Sequence, residues 1–236
     1  SASRSNGVAL LMEMGTGKTL TSIAILGALY QFGRVRRALV VCPVSIKGVW
    51  EQEIAKFAAF PCNVTVLTGA SKDNKKLLNG ISRDGLQVVI VNYESARIIE
   101  KELLDFDADL IIADEAHKIK EARTAQSKTM HHLGDKARYK LLLTGTVITN
   151  RELDVFSQYR FLNRKVFGDS FFVFRNRYFD MTGYGNHIPR FRNYMLDDFL
   201  QRMHSIAYRV TKAECLDLPD ISEEIRYVQL EPKAMK

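Results

Sequence analysis

The chain has 236 residues, 46% apolar and 26% charged, an ordinary globular balance with room for one large domain or one domain with an elaboration. No uninterrupted apolar run approaches the roughly 20 residues of a bilayer-crossing helix, and the short polar Ser1–Asn6 stretch is unlike a signal peptide, so no membrane role is expected. The net charge of +7 permits a polyanionic partner, and three cysteines without metal-type spacing (Cys42, Cys62, Cys215) read as free thiols of a reducing, intracellular compartment.

The chain opens on a predicted strand, Val8–Met12, followed by Met12-Glu13-Met14-Gly15-Thr16-Gly17-Lys18-Thr19 and a predicted helix, Thr19–Tyr30. Strand, glycine-rich turn and helix in that order is the setting of a P-loop. The glycines and Thr16 let backbone N–H groups close around phosphate oxygens at a helix start. Lys18 would reach the β- and γ-phosphates of a nucleotide, and the Thr19 hydroxyl would bind Mg²⁺. Met12 stands where the general P-loop pattern has a glycine.

Further predicted strands follow at 38–42, 64–67, 87–91, 110–113 and 140–143, with helices predicted at 47–59, 72–79, 95–104 and 124–133. The strands are near-continuous Val, Ile and Leu, as expected where helices cover both faces. This rhythm predicts an α/β fold with a doubly wound, mainly parallel sheet, whose ligands gather at the carboxyl ends of the strands.

Two of those ends carry chemistry. The strand at 110–113 delivers Asp114, Glu115, Ala116 and His117. Asp114 is placed to hold Mg²⁺ through water, Glu115 to orient and deprotonate an attacking water, and His117 to link the site to neighbouring loops. The strand at 140–143 ends in Thr144-Gly145-Thr146, whose hydroxyls can hydrogen-bond a neighbouring carboxylate or imidazole.

After Asn150 the rhythm stops. A helix is predicted over 151–162, a turn or surface loop over 181–187, and a helix over 196–207 that starts with Asp197 and Asp198. Between Arg160 and Lys212, ten Lys and Arg face only four Asp, and residues 166–208 hold eleven of the 22 Phe and Tyr. The aromatics read as a small satellite core coated by arginines, which together form an electrostatic face for a phosphate backbone. A last strand over 206–210 is expected to rejoin the sheet, and Ile225–Leu230 alternates like an edge strand.

MEMGTGKT, then DEAH, then LLLTGT resembles the first RecA-like lobe of superfamily-two helicases and translocases. The flanking residues are similar to the Swi/Snf-type branch, the translocases of double-stranded DNA. That family has DEMGLGKT where this chain has residues 12–19, and a segment like LVVCPxSLxxNWxxE where this chain runs from Leu39 to Glu53. Its TYE-like turn is matched by Asn92-Tyr93-Glu94, its DEAHRIKN by residues 114–121, and its LTGTPLQN by residues 143–150. A segment like RRTKxxVLxxLPxK is matched by residues 209–219. Met12, Thr16 and Val147 stand where the family has Asp, Leu and Pro, and none of these removes a phosphate-, metal- or water-handling group.

The resemblance implies a RecA-like ATP-binding core over 1–150, a mostly helical basic and aromatic protrusion over 151–208, and a return to the core over 209–236. It implies ATP and Mg²⁺ as cofactors, Glu115, Lys18 and Asp114 as catalytic residues, and Gly15 to Thr19 as the nucleotide cradle. His117, Thr144 and Thr146 would couple the nucleotide to movement. Double-stranded DNA would be contacted through its backbone, without sequence preference, by Ser45, Lys47, Thr68, Gly69, Asn92 and Tyr93. The arginine finger and the other wall of the cleft would come from a second RecA-like lobe beyond Lys236, so the single lobe is expected to bind ATP weakly and hydrolyse it little. Trp50 is expected to pack its helix onto the sheet. The compact protrusion favours the cytoplasm of a bacterium or of a viral host over a nucleus. A lobe of a strand-separating DNA or RNA helicase and a non-catalytic DNA-binding module are the alternative readings.

Overall fold

The apolar runs of the sequence fold as one seven-stranded sheet in a computed structural model that describes residues 6–145, 151–185 and 187–215. In chain order the elements of its first half are β1 (Gly7–Met12), α1 (Lys18–Gln31), β2 (Arg37–Cys42), α2 (Lys47–Phe57), β3 (Cys62–Val66), α3 (Ser71–Asn79) and β4 (Leu86–Asn92). Then come α4 (Tyr93–Ile98), α5 (Glu100–Phe106), β5 (Leu110–Asp114), α6 (Ala125–Lys136) and β6 (Tyr139–Thr144). The last part holds α7 (Asp154–Leu162), α8 (Arg164–Phe167), α9 (Phe171–Tyr178), β7 (Phe179–Thr182), β8 (Ile188–Phe191), α10 (Leu196–His204), β9 (Ala207–Val210) and α11 (Lys212–Cys215). The expected α/β fold is observed.

The sheet order is β3-β4-β2-β5-β6-β1-β9, and every pairing in it is parallel. Alternate residues of each strand point to opposite faces. Leu39 and Val41 of β2, with Val89 and Val91 of β4 and Ile111 and Ala113 of β5, enter one hydrophobic layer. Ala38, Val40, Val88, Ile90, Leu110 and Ile112 enter the other, where Ile23 and Leu26 of α1 and Trp50 and Ile54 of α2 cover them. Coverage on both faces is why these strands read as continuous apolar runs. All parallel strands end on the same edge, and that edge receives the loops after β1, β2, β3, β4, β5 and β6.

One expected helix is divided, and one expected turn proves to join two strands. The helix predicted over 95–104 is two helices meeting at Ile99, whose φ of −109° and ψ of 30° leave the helical region while its side chain is buried. The loop predicted over 181–187 is the tip of an antiparallel hairpin, β7 with β8, that turns through Gly183 (φ 81°) and Gly185 (φ 73°). The aromatic segment is therefore helical with a hairpin set into it.

The aromatic residues do not make a satellite core. Phe167, Phe174, Tyr178, Phe179 and Phe199 belong to the same unbroken hydrophobic cluster as Val89 and Ile111. Helix α7 bridges the two parts, burying Val155, Phe156, Tyr159, Phe161 and Leu162. The rings meet mostly edge-on or tilted, as Phe167 with Tyr178 (5.9 Å, 83°) and Phe167 with Phe174 (5.4 Å, 76°), the arrangement the ring quadrupole prefers.

The arginines around this cluster are largely neutralised. Arg160 and Arg164 both bind Asp135 and Asp169, Arg177 and Arg202 bind Asp198, and Arg192 binds Asp180. The expected electrostatic face is thus weaker than its charge count, because four carboxylates sit among the guanidinium groups. Strand β9 rejoins the sheet as expected, pairing with β1 from Ala9↔Ala207 to Met12↔Val210. Thr146, Val147 and Ile225–Leu230 lie outside the described residues. Among the described residues no helix is long and apolar enough to cross a membrane.

Candidate nucleotide site

The loop after β1 makes its turn through two glycines, Gly15 at φ 86° and Gly17 at φ 87°, a left-handed conformation that a side chain would strain. A Cβ built on either glycine meets nothing within 4 Å, so the loop bounds open space. Thr16 steadies it, its hydroxyl donating to the Glu13 carbonyl at 2.8 Å. Lys18 begins α1, and its Nζ donates to the carbonyls of Met12 (2.8 Å) and Glu13 (3.2 Å). The ammonium therefore rests over the mouth of the loop on carbonyl oxygens, partners that phosphate oxygens can replace. Thr19 follows in the first turn, half-buried.

Strand β6 separates β1 from β5, with Leu11 opposite Thr144 and Asp114 opposite Leu143. That register brings Lys18, Thr144 and Asp114 to one edge. Thr144 is buried between the other two strand ends. Asp114 is buried too, and burial raises its carboxyl above the ordinary carboxylate range. Hydrogen bonds from Trp50 and from the Glu115 N–H oppose that rise, as does the positive charge of Lys18. The influence of Lys18 on Asp114 places the two groups in one electrostatic neighbourhood.

The partners of Asp114 are specific. Its Oδ2 accepts 2.8 Å from the indole Nε1 of Trp50, its Oδ1 accepts 2.8 Å from the Glu115 N–H, and its backbone carbonyl accepts 2.7 Å from the Tyr93 hydroxyl. Cys42 lies nearby, and burial pushes its thiol up to about 12, with Asp114 adding to the rise and Lys47 opposing it. Glu115 itself adopts a left-handed backbone (φ 51°, ψ 52°), uncommon for a residue with a side chain. Its Oε2 lies 3.1 Å from Nδ1 of His117, which orients the carboxylate along the same edge.

The six residues expected to touch DNA sit on this edge but differ in what they present. Ser45 and Thr68 are exposed. Lys47 is buried, and its Nζ donates 2.8 Å to the Leu67 carbonyl. The backbone of Gly69 is clamped by Asn74 through both its N–H (3.1 Å) and its carbonyl (3.0 Å). Asn92 donates to Glu94 at 3.0 Å, and Tyr93 is buried against Asp114. The loops after β2, β3 and β4 are thus stiffened by their own polar groups, while Ser45 and Thr68 keep side chains open to solvent.

Residues 2–236 match the SNF2-related domain. The chain belongs to the SNF2-related family. It is 34% identical over 176 residues to the protein CHROMATIN REMODELING 25 of Arabidopsis thaliana, covering 70% of this chain and 19% of that protein. It is 35% identical over 186 residues to the DNA repair and recombination protein RAD54 of Oryza sativa subsp. japonica, covering 74% of this chain and 18% of that one. Among solved structures it resembles the SWI2/SNF2 ATPase core of Sulfolobus solfataricus in complex with dsDNA, at 28% identity and a TM-score of 0.73 over 90% of this chain and 42% of that chain. The chain therefore spans about a fifth of the length of these curated relatives.

Two features of the SNF2-related site escape a reading of the sequence. Trp50, expected only to pack its helix, also donates to Asp114. A buried indole N–H demands an acceptor, but its partner lies 64 residues away, and only the adjacency of β2 and β5 identifies it. Glu13, between the β1 strand and the glycines, accepts 3.0 Å from the N–H of Lys212. Its own N–H donates 3.2 Å to the Val210 carbonyl. These contacts tie the phosphate-type loop to the segment after β9.

Proposed function

We propose that this SNF2-related chain is the ATP-binding lobe of a motor that couples ATP hydrolysis to movement along double-stranded DNA. The observation that carries the reading is the convergence of Lys18, on an open glycine loop after β1, with the buried Asp114 and its neighbour Glu115 at the end of β5, on the same edge of the sheet with only β6 between them. The relatives' names, DNA repair and chromatin remodelling among them, supply the DNA side of the reading.

The residues fit a magnesium nucleotide. Gly15 and Gly17 leave open space against the loop, Lys18 offers a cation, and Thr19 and Asp114 offer oxygens of the hard-ligand type. Bound there, Mg²⁺-ATP supplies a phosphoanhydride whose charge is already partly neutralised by the metal. The amides of residues 15–19 and the Lys18 ammonium would hold the phosphates, and Thr19 and Asp114 would hold the metal. Trp50 and the Glu115 N–H keep the Asp114 carboxylate in one orientation. Glu115 would accept a proton from water at its carboxylate, with His117 at 3.1 Å holding that group in place. Ser45 and Thr68 would meet a phosphate backbone on the same edge. The other wall of the cleft would come from a second lobe, so the lobe by itself would turn over slowly.

The test is Glu115→Gln in the full-length protein. Nucleotide affinity should stay within about threefold, while DNA-stimulated hydrolysis should fall by about 10²–10⁴, the usual worth of a positioned base. Hydrolysis that persists near the native rate would overturn the assignment.

A further inference from the structure

The opposite end of the sheet, where the parallel strands begin, carries a second polar feature. Arg34, Arg36, Arg37, Arg83 and Arg138, with Gly33 and Asp109, line an open concavity of about 420 Å³. The topology explains the gathering. Arg37 opens β2, Arg83 lies just before β4, Asp109 just before β5 and Arg138 just before β6. The strand starts are stitched by hydrogen bonds from Gln87 N–H to the Arg36 carbonyl, Asp109 N–H to the Arg37 carbonyl and Tyr139 N–H to the Asp109 carbonyl, each 2.8 Å. Arg34 is delivered by the turn that ends α1, where Gly33 takes a φ of 65°.

The charge at this end is only partly offset by carboxylates. Asp109 directs Oδ2 to the backbone N–H groups of Arg36 (2.8 Å) and Arg37 (2.9 Å). Arg37 pairs with Asp107 at 2.8 Å. Arg34, Arg36, Arg83 and Arg138 are exposed and make no ion pair among the described residues, Arg138 lying over its neighbour Tyr139. This contrasts with Arg160, Arg164, Arg177, Arg192 and Arg202 around the aromatic cluster, each of which has a carboxylate partner. Collecting like charges around one hollow is unfavourable unless an anion offsets them. The cations are all arginine, whose planar fork matches a phosphate through two parallel hydrogen bonds. No apolar side chain lines the hollow, whereas the centre of a protein–protein contact is apolar or aromatic.

We propose that this arginine hollow is an anion site that takes the phosphate backbone of a second nucleic-acid segment, at the end of the sheet opposite the nucleotide edge. The lobe then holds nucleic acid on two faces and can bring two segments together. This goes beyond the motor reading and does not require it, since nothing in the hollow touches residues 12–19 or 114–117.

The experiment compares the full-length native protein with a variant carrying Arg34→Gln, Arg36→Gln, Arg83→Gln and Arg138→Gln. The first readout is the slope of log affinity for a duplex against log salt concentration. The second is capture of a labelled duplex by protein already bound to an immobilised one. Each lost phosphate contact should reduce the slope by about 0.9, so the variant should lose about two to four units of slope and fail to bridge. Its ATP hydrolysis on saturating duplex should match the native protein. The single change Arg83→Gln should remove about one unit and serves if the fourfold variant does not fold. A native slope and native bridging in the variant overturn the proposal. So does a native protein that never bridges. Loss of binding to a poly-glutamate peptide with the duplex slope intact overturns it in favour of an acidic protein partner. A variant that loses bridging while ATP hydrolysis persists separates this proposal from the motor reading, whose own test is Glu115→Gln.

Discussion

The indole Nε1 of Trp50 donates a 2.8 Å hydrogen bond to Oδ2 of Asp114, joining helix α2 to the end of β5. Both groups are buried. A hydrogen bond to a charged partner is worth about 1.5–3 kcal/mol, and here it also selects one orientation of the carboxylate proposed to hold the metal. Trp50 is the single tryptophan of the chain, so its fluorescence reports on this site alone.

Trp50→Phe keeps an aromatic ring under α2 and removes the donor. With the carboxylate freed to rotate, Mg²⁺ affinity in the presence of nucleotide should weaken by about 10- to 100-fold, the usual effect of losing a group that orients a metal ligand. In the native protein, Mg²⁺-nucleotide should shift Trp50 emission, and nucleotide with EDTA should not. Titration calorimetry on the variant and fluorescence on the native protein check the two halves. Unchanged metal affinity would assign the bond to packing alone.

Glu13→Ala removes the acceptor for the Lys212 N–H. The cost should be about 1 kcal/mol for a surface bond to a carboxylate. Hydrogen exchange should quicken at Lys212 and its neighbours after β9 while the amides of β2 and β4 stay protected. Equal exchange in both proteins would show that the loop and the segment are not held together through this carboxylate.

Gly7→Ala should destabilise the fold without touching the nucleotide site. An added Cβ would sit 2.5 Å from the Leu162 carbonyl oxygen and 3.1 Å from its carbon, both backbone atoms at the end of α7. Neither can rotate away, so the expected loss is about 1–3 kcal/mol, read by urea unfolding. A neutral result would mean that α7 can slide along β1.

His131 offers a pH dependence whose sign is fixed by its surroundings. It is buried between α6 and α7, with Nε2 donating 2.9 Å to the Ser157 carbonyl, and burial lowers its pKa below the model-peptide 6.5. The Ser157 bond and Asp135 oppose that shift, and Arg160 and His132 add to it. Below about 6.5 the unfolded chain takes the proton before the folded one does. Stability from this residue is therefore complete above 6.5 and is lost as pH falls below it. Native protein should lose unfolding free energy as pH falls below about 6.5, and His131→Gln should flatten that part of the profile. Identical profiles would place the acid sensitivity elsewhere.

The sequence by itself determined the local pieces. Runs such as Ala38–Cys42 and Leu110–Ala113, short and rich in Val, Ile and Leu, read as covered strands, and each lies within an observed strand. The glycines at 15 and 17 had to turn, since only glycine takes those φ values without strain. Asp114 and Glu115 had to stand at a strand end, because the apolar run before them stops there. Each follows from a residue and its near neighbours.

What only the tertiary structure decided is which distant groups meet. The order β4-β2-β5-β6-β1 sets Trp50 beside Asp114 and Lys18 within reach of that carboxylate's charge. The burial of Lys47 follows from the need of the Leu67 carbonyl for a donor, a need invisible along the chain. The aspartates that neutralise Arg160, Arg164, Arg177, Arg192 and Arg202 cancel a charge that a linear count leaves standing. The reverse holds at the strand starts, where arginines spread from residue 34 to residue 138 in the chain become neighbours without enough carboxylates to offset them. Hydrophobic period and backbone sterics act over a few residues and can be read in order. Charge pairing and hydrogen-bond satisfaction act through space, so they were settled by the sheet order.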